Sequence, residues 1–321
     1  MAAGGRPVLV VTRLDDATAD EVIAELNQRR VPVVRLDPGD FPREVVLSGT
    51  YDSGGTGGTL ATASRSVDLG KVRSVYWRRP TPCTADVSMD EQTGRWAVEE
   101  ARYGLGGALA ALSGAHYLNH PWRNRDAEYK PAQLAVAAAC GFTVPPTLIT
   151  NDPDRVRTFA AEHGPVIYKP LRETEYADDT GRALTVWIED VTPGQIDHHV
   201  RHTAHLFQQR VRKSADIRLT AVGDCLTAVR IDGAPGVDWR RHYDRLTYTP
   251  VPVPRGIARG VRAYLDAFGL TFGAFDFGLD SDGAWHWYEC NPNGQWAWFP
   301  DHITAPITHA IADRLQHGAS A

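Results

Sequence analysis

Five side chains in this sequence have the types and spacing to do chemistry on a phosphate: Lys130, Lys169, Asp276, Glu289 and Asn291. Lys130 precedes Pro131, whose ring disfavours the helical conformation at the residue before it, so Lys130 marks a helix start. Lys169 ends VIYKP, an apolar strand with no other use for a charge, and a charge on a buried strand needs a partner. Phosphate oxygens suit an ammonium group acting as a point charge; two solvated lysines are the plainer alternative. In FGAFDFGLDSDGAWHWYECNPNGQW, residues 272–296, Asp276 lies mid-strand between apolar neighbours. Glu289 and Asn291 lie two apart on the strand beyond the SDG turn, and side chains two apart in a strand share a face. Three oxygen donors on facing strands suit Mg2+ bridging the phosphates of ATP. Acids crowded together without a cation would repel.

The elements that must position these residues follow from periodicity. VLVVTR (8–13) is an apolar run, DDATADEVIAELNQRR has helical spacing with Val22, Ile23 and Leu26 on one face, and VPVVRLD returns to strand character. This reads as a βαβ unit opening an α/β domain. No GxGxxG follows the first strand, which argues against a nicotinamide site. Residues 48–66 predict a hairpin, with β-formers in VVLSGTY and TLATASRSV around a GGTGG turn. VRSVYWRRP is a further strand, residues 91–112 are helical, and HYLNHP closes a domain spanning 1–120. From 121 the texture changes. NRDAEYKPAQLAVAAACGF is a helix with Pro131 in its first turn and Gly141 at its end. A strand VPPTLIT, a helix after an aspartate cap, the strand PVIYKPL and a polar stretch complete 121–206. The span 207–321 holds strands HLFQQRV (which straddles residue 206), DIRLTAVGD and CLTAVRID, a helix over 255–268, the Asp276/Glu289 strand pair and a helix near 302–316.

Composition narrows the function classes. Net charge is −5 with pI near 6.2, which gives no electrostatic reason to expect nucleic acid. No run of eighteen apolar residues occurs, and MAAGGRPVLVV lacks the layout of a signal peptide, so a cytoplasmic chain without membrane contact is expected. The four cysteines, Cys83, Cys140, Cys225 and Cys290, form no CxxC pair and predict neither a zinc ribbon nor a disulfide framework; Cys140 and Cys290 read as packing residues. HHVRHTAH (198–205) reads as a solvated helix face, since no carboxylate or cysteine is counted with it to complete a metal set.

The order Lys130, Lys169, LFQQRV, then Asp276 and Glu-x-Asn resembles the ATP-grasp superfamily. That resemblance implies an α/β (α+β) architecture: an N-terminal α/β pre-ATP-grasp domain and two α+β subdomains that sandwich ATP. It also implies that Lys130 and Lys169 hold the phosphates, and that Asp276, Glu289 and Asn291 hold magnesium. The backbone of Phe207, Gln208, Gln209 and Arg210 would read the adenine edge. The loop from Arg172 to Arg182 matches the flap over the phosphates, although it is acidic and has one glycine.

YWRRP, KPAQLAVAAACGFTVPPTLIT, DIRLTAVGD, VDWR and ECNPNGQWAW are more narrowly similar to the ATP-grasp ribosomal peptide maturases, the graspetide or microviridin-type synthetases. NPNGQWxW, with Gly294, Gln295, Trp296 and Trp298, is the most specific piece. The resemblance implies a ligase that activates Asp or Glu side chains of a precursor peptide, leader plus core, as acyl phosphates. Ser, Thr or Lys side chains of the same peptide would then close ω-ester or ω-amide rings. Arg218 and Arg230, in strands that by analogy face the ATP cleft, would neutralise the transferred phosphoryl group; pairing with Asp216 or Asp232 is the alternative. Asp238, Trp239 and Arg240 would form part of the substrate side, and a homodimer is compatible. Two competing functions stay open: a ligase adding free amino acids to a peptide or protein carboxylate, and a non-catalytic nucleotide-gated module.

Overall fold

The computed structural model describes residues 5–62, 65–172 and 176–318. They divide into two compact units: Met1–Asn124 with Gly269–Phe272 and Gln295–Ala321, and Arg125–Phe268 with Gly273–Gly294.

In the first unit the apolar run Val8–Val11 is the centre of a parallel sheet, and all four of its residues are fully buried. A strand enclosed on both faces has no polar alternation to display. Val33–Leu36 and Ser74–Trp77 flank it, with His116–Tyr117 beyond the latter. The helix Ala17–Gln28 is capped by Asp16, which accepts from the Ala19 N–H at 3.3 Å. The same carboxylate accepts from Arg78 Nε at 3.1 Å and from Thr12 Oγ1 at 2.7 Å. Burial alone would raise the Asp16 pKa, but Arg78 outweighs it and holds the carboxyl below its usual range. The first arginine of YWRRP therefore closes a buried structural pair. The C-terminal helix Asp301–His317 buries Ile303, Ile307, Ile311 and Leu315 and packs on Ala17–Gln28. The Asn119 side chain ties Gly269–Phe272 to this unit, accepting from the N–H groups of Thr271 and Phe272 at 2.8 and 2.9 Å.

The predicted hairpin exists with a different turn. Val45–Asp52 pairs antiparallel with Gly55–Thr62 up to Asp52 opposite Gly55, so Ser53 and Gly54 make the turn. Most of the GGTGG run belongs to the second strand. Gly58 has φ +148°, and a Cβ there would overlap the Ser48 carbonyl oxygen; these glycines permit a close strand approach instead of a reversal. A third strand, Ser66–Asp68, follows; Ala63 and Ser64 of the predicted second strand lie outside the described residues.

The second unit holds two antiparallel sheets that matter for the site. One runs in the order Glu189–Val191, Val166–Lys169, His205–Gln209, Thr147–Thr150, over a core that includes Val156, Phe159, Ile196 and Phe207. The other runs in the order Thr247–Val251, Cys225–Asp232, Lys213–Val222, Phe272–Asp280, Trp285–Asn291. The helix Arg255–Phe268 presents Tyr264 to an aromatic cluster on one side of this sheet, 5.2 Å from Phe275 and 6.0 Å from Trp287. These units differ from a division at residues 120 and 206. His205–Gln209 crosses residue 206 inside one sheet, and the C-terminal helix belongs with the N-terminal unit, because burial and hydrogen bonding join segments that composition separates.

Candidate active site

The face of the second sheet opposite Phe275 carries the acids. Asp276 is in register with Glu289, and Ala274 with Asn291, so the three predicted oxygen donors share one face. The pairing then shifts: Phe277 lies opposite Trp287, which leaves Tyr288 as the extra residue of a bulge. The bulge lets Trp287 point into the aromatic core while both Tyr288 and Glu289 line the cleft. Gly278 makes room for the Tyr288 ring, since a Cβ there would overlap its hydroxyl end.

Four protein cations converge on the two carboxylates. Arg218, on Lys213–Val222, donates through Nη1 to Asp276 Oδ1 and Oδ2, both at 2.9 Å. Arg240 Nη2 donates to Asp276 Oδ2 at 3.0 Å and to Glu289 Oε1 at 3.1 Å. Lys130 Nζ donates to Glu289 Oε2, and Lys169 Nζ lies 4.0 Å from the same oxygen. Arg218 has the space it needs because residue 294 is glycine; a Cβ there would overlap its guanidinium and Ala274. Lys169, Arg240, Asp276 and Glu289 line one cleft, with Ile167, Ile188, Val211 and Tyr288 on its apolar side.

These contacts set the charge states. Burial draws the Lys169 pKa down to about 8, and the neighbouring Lys130 and Arg240 charges push the same way against the pull of Glu289. Burial by itself would raise Glu289, but Lys130, Lys169 and Arg240 together hold it well below the usual carboxylate range. Beside them, burial pushes Asp216 up to about 6 in spite of Lys213, whose Nζ donates to both its oxygens at 2.7 Å. Two carboxylates and an amide oxygen on one face are a donor set that fits Mg2+, and the surrounding cations fit an anion such as a polyphosphate.

Comparison with known proteins agrees with this geometry. Residues 7–125 match the MvdD pre-ATP grasp domain family. A RiPP-associated ATP-grasp ligase from Chryseobacterium gregarium, solved with ADP and a leader and core peptide, superposes with TM-score 0.88 at 25% identity over 97% of this chain and 96% of that one. The macrocyclase MdnC from Microcystis aeruginosa, bound to the precursor peptide MdnA, gives 0.86 at 26% identity over 96% and 99%. This chain is an ATP-dependent ligase with the ATP-grasp fold, similar to the macrocyclases of ribosomal peptides. A shorter stretch of 83 residues is 39% identical to a glutathione synthetase from Ralstonia nicotianae, and spans 22% of that protein.

The ATP-grasp ligase brings together Lys130, Lys169, Asp276, Glu289, Arg218 and Arg240, six of the residues singled out from the sequence. Asn291 shares their face, and its Oδ1 accepts from the Asn293 N–H at 2.9 Å. Asp238 is buried and caps the short turn Trp239–Arg241 by accepting from the Arg240 N–H at 3.1 Å; Trp239 is buried and lines the cleft. Arg230 does not join them. It is registered opposite Ile217, hence on the other face of the sheet from Arg218, and its Nε donates to Asp232 at 2.8 Å. The expectation that both arginines face the cleft is corrected by strand register.

The FQQR segment also splits by alternation. Gln208 and Arg210 line the cleft, whereas Phe207 is buried in the core and Gln209 Nε2 donates to His163 O at 3.0 Å. The Gln209 and Arg210 backbone N–H groups donate to the carbonyls of Pro146 and Pro165, so those two donors are already engaged. In the ligase's Arg172–Arg182 segment, Tyr176–Ala177 pairs with Ala183–Leu184 as an exposed hairpin; Glu173–Glu175 lie outside the described residues. Trp296 is fully buried, so the NGQW motif supplies packing at that position.

Sequence reading missed Lys213, Asp216 as its partner, and Tyr288. Lys213 sits three residues before Asp216, which the sequence offered only as an alternative partner for an arginine. Tyr288 was concealed by the bulge. It also undercounted the histidine cluster: Asp197 caps the exposed turn His198–His202, and its carboxylate lies within 4.8 Å of the ring nitrogens of His198 and His199. Cys83, Cys140 and Cys290 carry free thiols.

Proposed function

We propose that this ATP-grasp ligase activates Asp or Glu side chains of a ribosomal precursor peptide and closes ω-ester or ω-amide rings with Ser, Thr or Lys side chains of the same peptide. The observation that carries the reading is the convergence of Lys130, Lys169, Arg218 and Arg240 on Asp276 and Glu289 at one cleft. Its cofactors are ATP and Mg2+. Magnesium, held by Asp276 and Glu289 with Asn291 beside them, supplies charge neutralisation to the phosphates when bound. Lys169 and Lys130 would hold the phosphates, and the apolar walls at Ile167, Ile188 and Val211 would take the base. A peptide carboxylate oxygen attacks the γ-phosphorus and ADP leaves. A hydroxyl or amine then attacks the acyl carbon, phosphate leaves, and the nucleophile's proton is lost. Arg218 neutralises the transferred group, because phosphoryl transfer needs charge compensation more than covalent help.

The partner is a precursor peptide with leader and core, as in the structural neighbours that hold one. Among the described residues no helix is long and apolar enough to cross a membrane, and we place the chain in the cytoplasm. The test is incubation with an acidic, Ser/Thr-rich peptide encoded beside the gene, ATP and Mg2+, read by mass spectrometry. Products are expected in steps of about −18 Da, one water per ring, with one ADP per step and none with Glu289→Gln. A gain equal to an amino-acid residue would instead identify a ligase adding free amino acids, and AMP would exclude acyl-phosphate chemistry.

A further inference from the structure

Every carboxylate oxygen of the Asp276–Glu289 pair already accepts from a protein cation. Both oxygens of Asp276 accept from Arg218; Arg240 spans Asp276 Oδ2 and Glu289 Oε1, and Lys130 takes Glu289 Oε2. A divalent cation bound at about 2.1 Å to these oxygens competes with a guanidinium that bridges both acids, since the two like charges repel at so short a distance. The repulsion favours the departure of one protein cation. Arg218 is anchored: it is 6% exposed, lies within a long central strand and is packed against Gly294. Lys130 holds one oxygen of one acid. Arg240 alone among these cations bridges the two acids, its side chain is 34% exposed, and it sits on a three-residue turn between Asp232 and Thr247, where there is no strand or α-helix.

We propose that Arg240 exchanges with the metal: it neutralises Asp276 and Glu289 until magnesium takes their oxygens, and then swings off as a free guanidinium fork at the edge of the cleft. The proposal rests on the reading of Asp276 and Glu289 as metal ligands given above. The exchange keeps the two acids compensated at every stage. It also releases a planar, five-donor group suited to a carboxylate only after metal has loaded, so an acidic peptide side chain gains its partner once the nucleotide is in place.

Mn2+ binding in the presence of ADP, followed by the electron paramagnetic resonance of free Mn2+, tests this on the intact chain. Arg240→Gln removes the competitor and is expected to tighten Mn2+ binding by about fivefold or more, within the usual range of coupling between sites. Its metal-free melting temperature should fall, and Mg2+ should restore it. Unchanged or weaker Mn2+ binding in Arg240→Gln, with binding lost in Glu289→Gln, overturns the exchange and leaves the metal reading intact. Binding that Glu289→Gln does not alter overturns both. Should Arg240→Gln not fold, Arg240→Lys keeps the charge but cannot span both acids; a smaller tightening is expected, and an unchanged affinity counts against the proposal.

Discussion

Lys169 has the most informative charge state in the molecule. Its side chain is buried at a strand end, 4.0 Å from Glu289 and 5.3 Å from the centre of the Tyr288 ring. Its pKa, near 8, lies below the ordinary 10.5, so between those values the unfolded chain binds the proton that the folded chain has released. Carrying the charge therefore costs stability below about pH 8, and that cost is relieved as pH rises through this window. A polyphosphate that needs the ammonium group acts in the opposite sense. We expect ADP to bind with uptake of about half a proton at pH 8 and almost none at pH 6, and its affinity to fall by up to about tenfold per pH unit above 8. Calorimetry in buffers of different ionisation enthalpy checks this. Lys169→Met should lose both the affinity and the proton uptake without lowering the melting temperature; a large drop in stability would make the lysine structural. At this scale the sequence was informative, because an isolated charge in VIYKP or FGAFDFG conflicts with its neighbours and the conflict itself marks the site.

Elements were harder to read than residues. Alternation placed Glu289 and Asn291 on one face, but it placed Arg218 and Arg230 by analogy alone, because the face of a strand residue depends on register, and register is decided by partners distant in the chain. The Tyr288 bulge breaks the two-residue period within the motif where that period was used. Gly58 was misplaced for a similar reason: the sequence put it in the GGTGG turn, whereas it serves a close strand approach, and Gly278 and Gly294 make room for Tyr288 and Arg218. Gly278→Ala is therefore expected to cost about 1–3 kcal/mol in denaturant unfolding, as overpacking does, and to weaken ADP binding by displacing Tyr288 from the cleft wall. A variant as stable as the parent would mean that the Tyr288 ring does not depend on that gap.

For the molecule as a whole, the sequence supplied most helices and strands of the site, without the edge strand Thr247–Val251, and drew domain boundaries that differ from the compact units. Boundaries at 120 and 206 follow shifts in composition; the compact units follow burial, which joins Asp301–His317 to the unit that begins the chain. Ile311, fully buried on that helix, is expected to cost about 2–5 kcal/mol when cut to Ala. A chemical-denaturation midpoint unaltered by Ile311→Ala would show the helix to be dispensable to that unit. The same division has a consequence for modularity. The backbone passes from one unit to the other four times, after Asn124, Phe268, Phe272 and Gly294. The unit with the acids is thus neither a prefix nor a suffix of the gene: recombination at one breakpoint cannot exchange it, and two breakpoints exchange it only together with Gly269–Phe272 of the other unit. A single nick by a protease at Asn124 would leave three covalent ties. Such a catalytic unit can diversify by substitution in place, and its lineage should show little sign of shuffled halves.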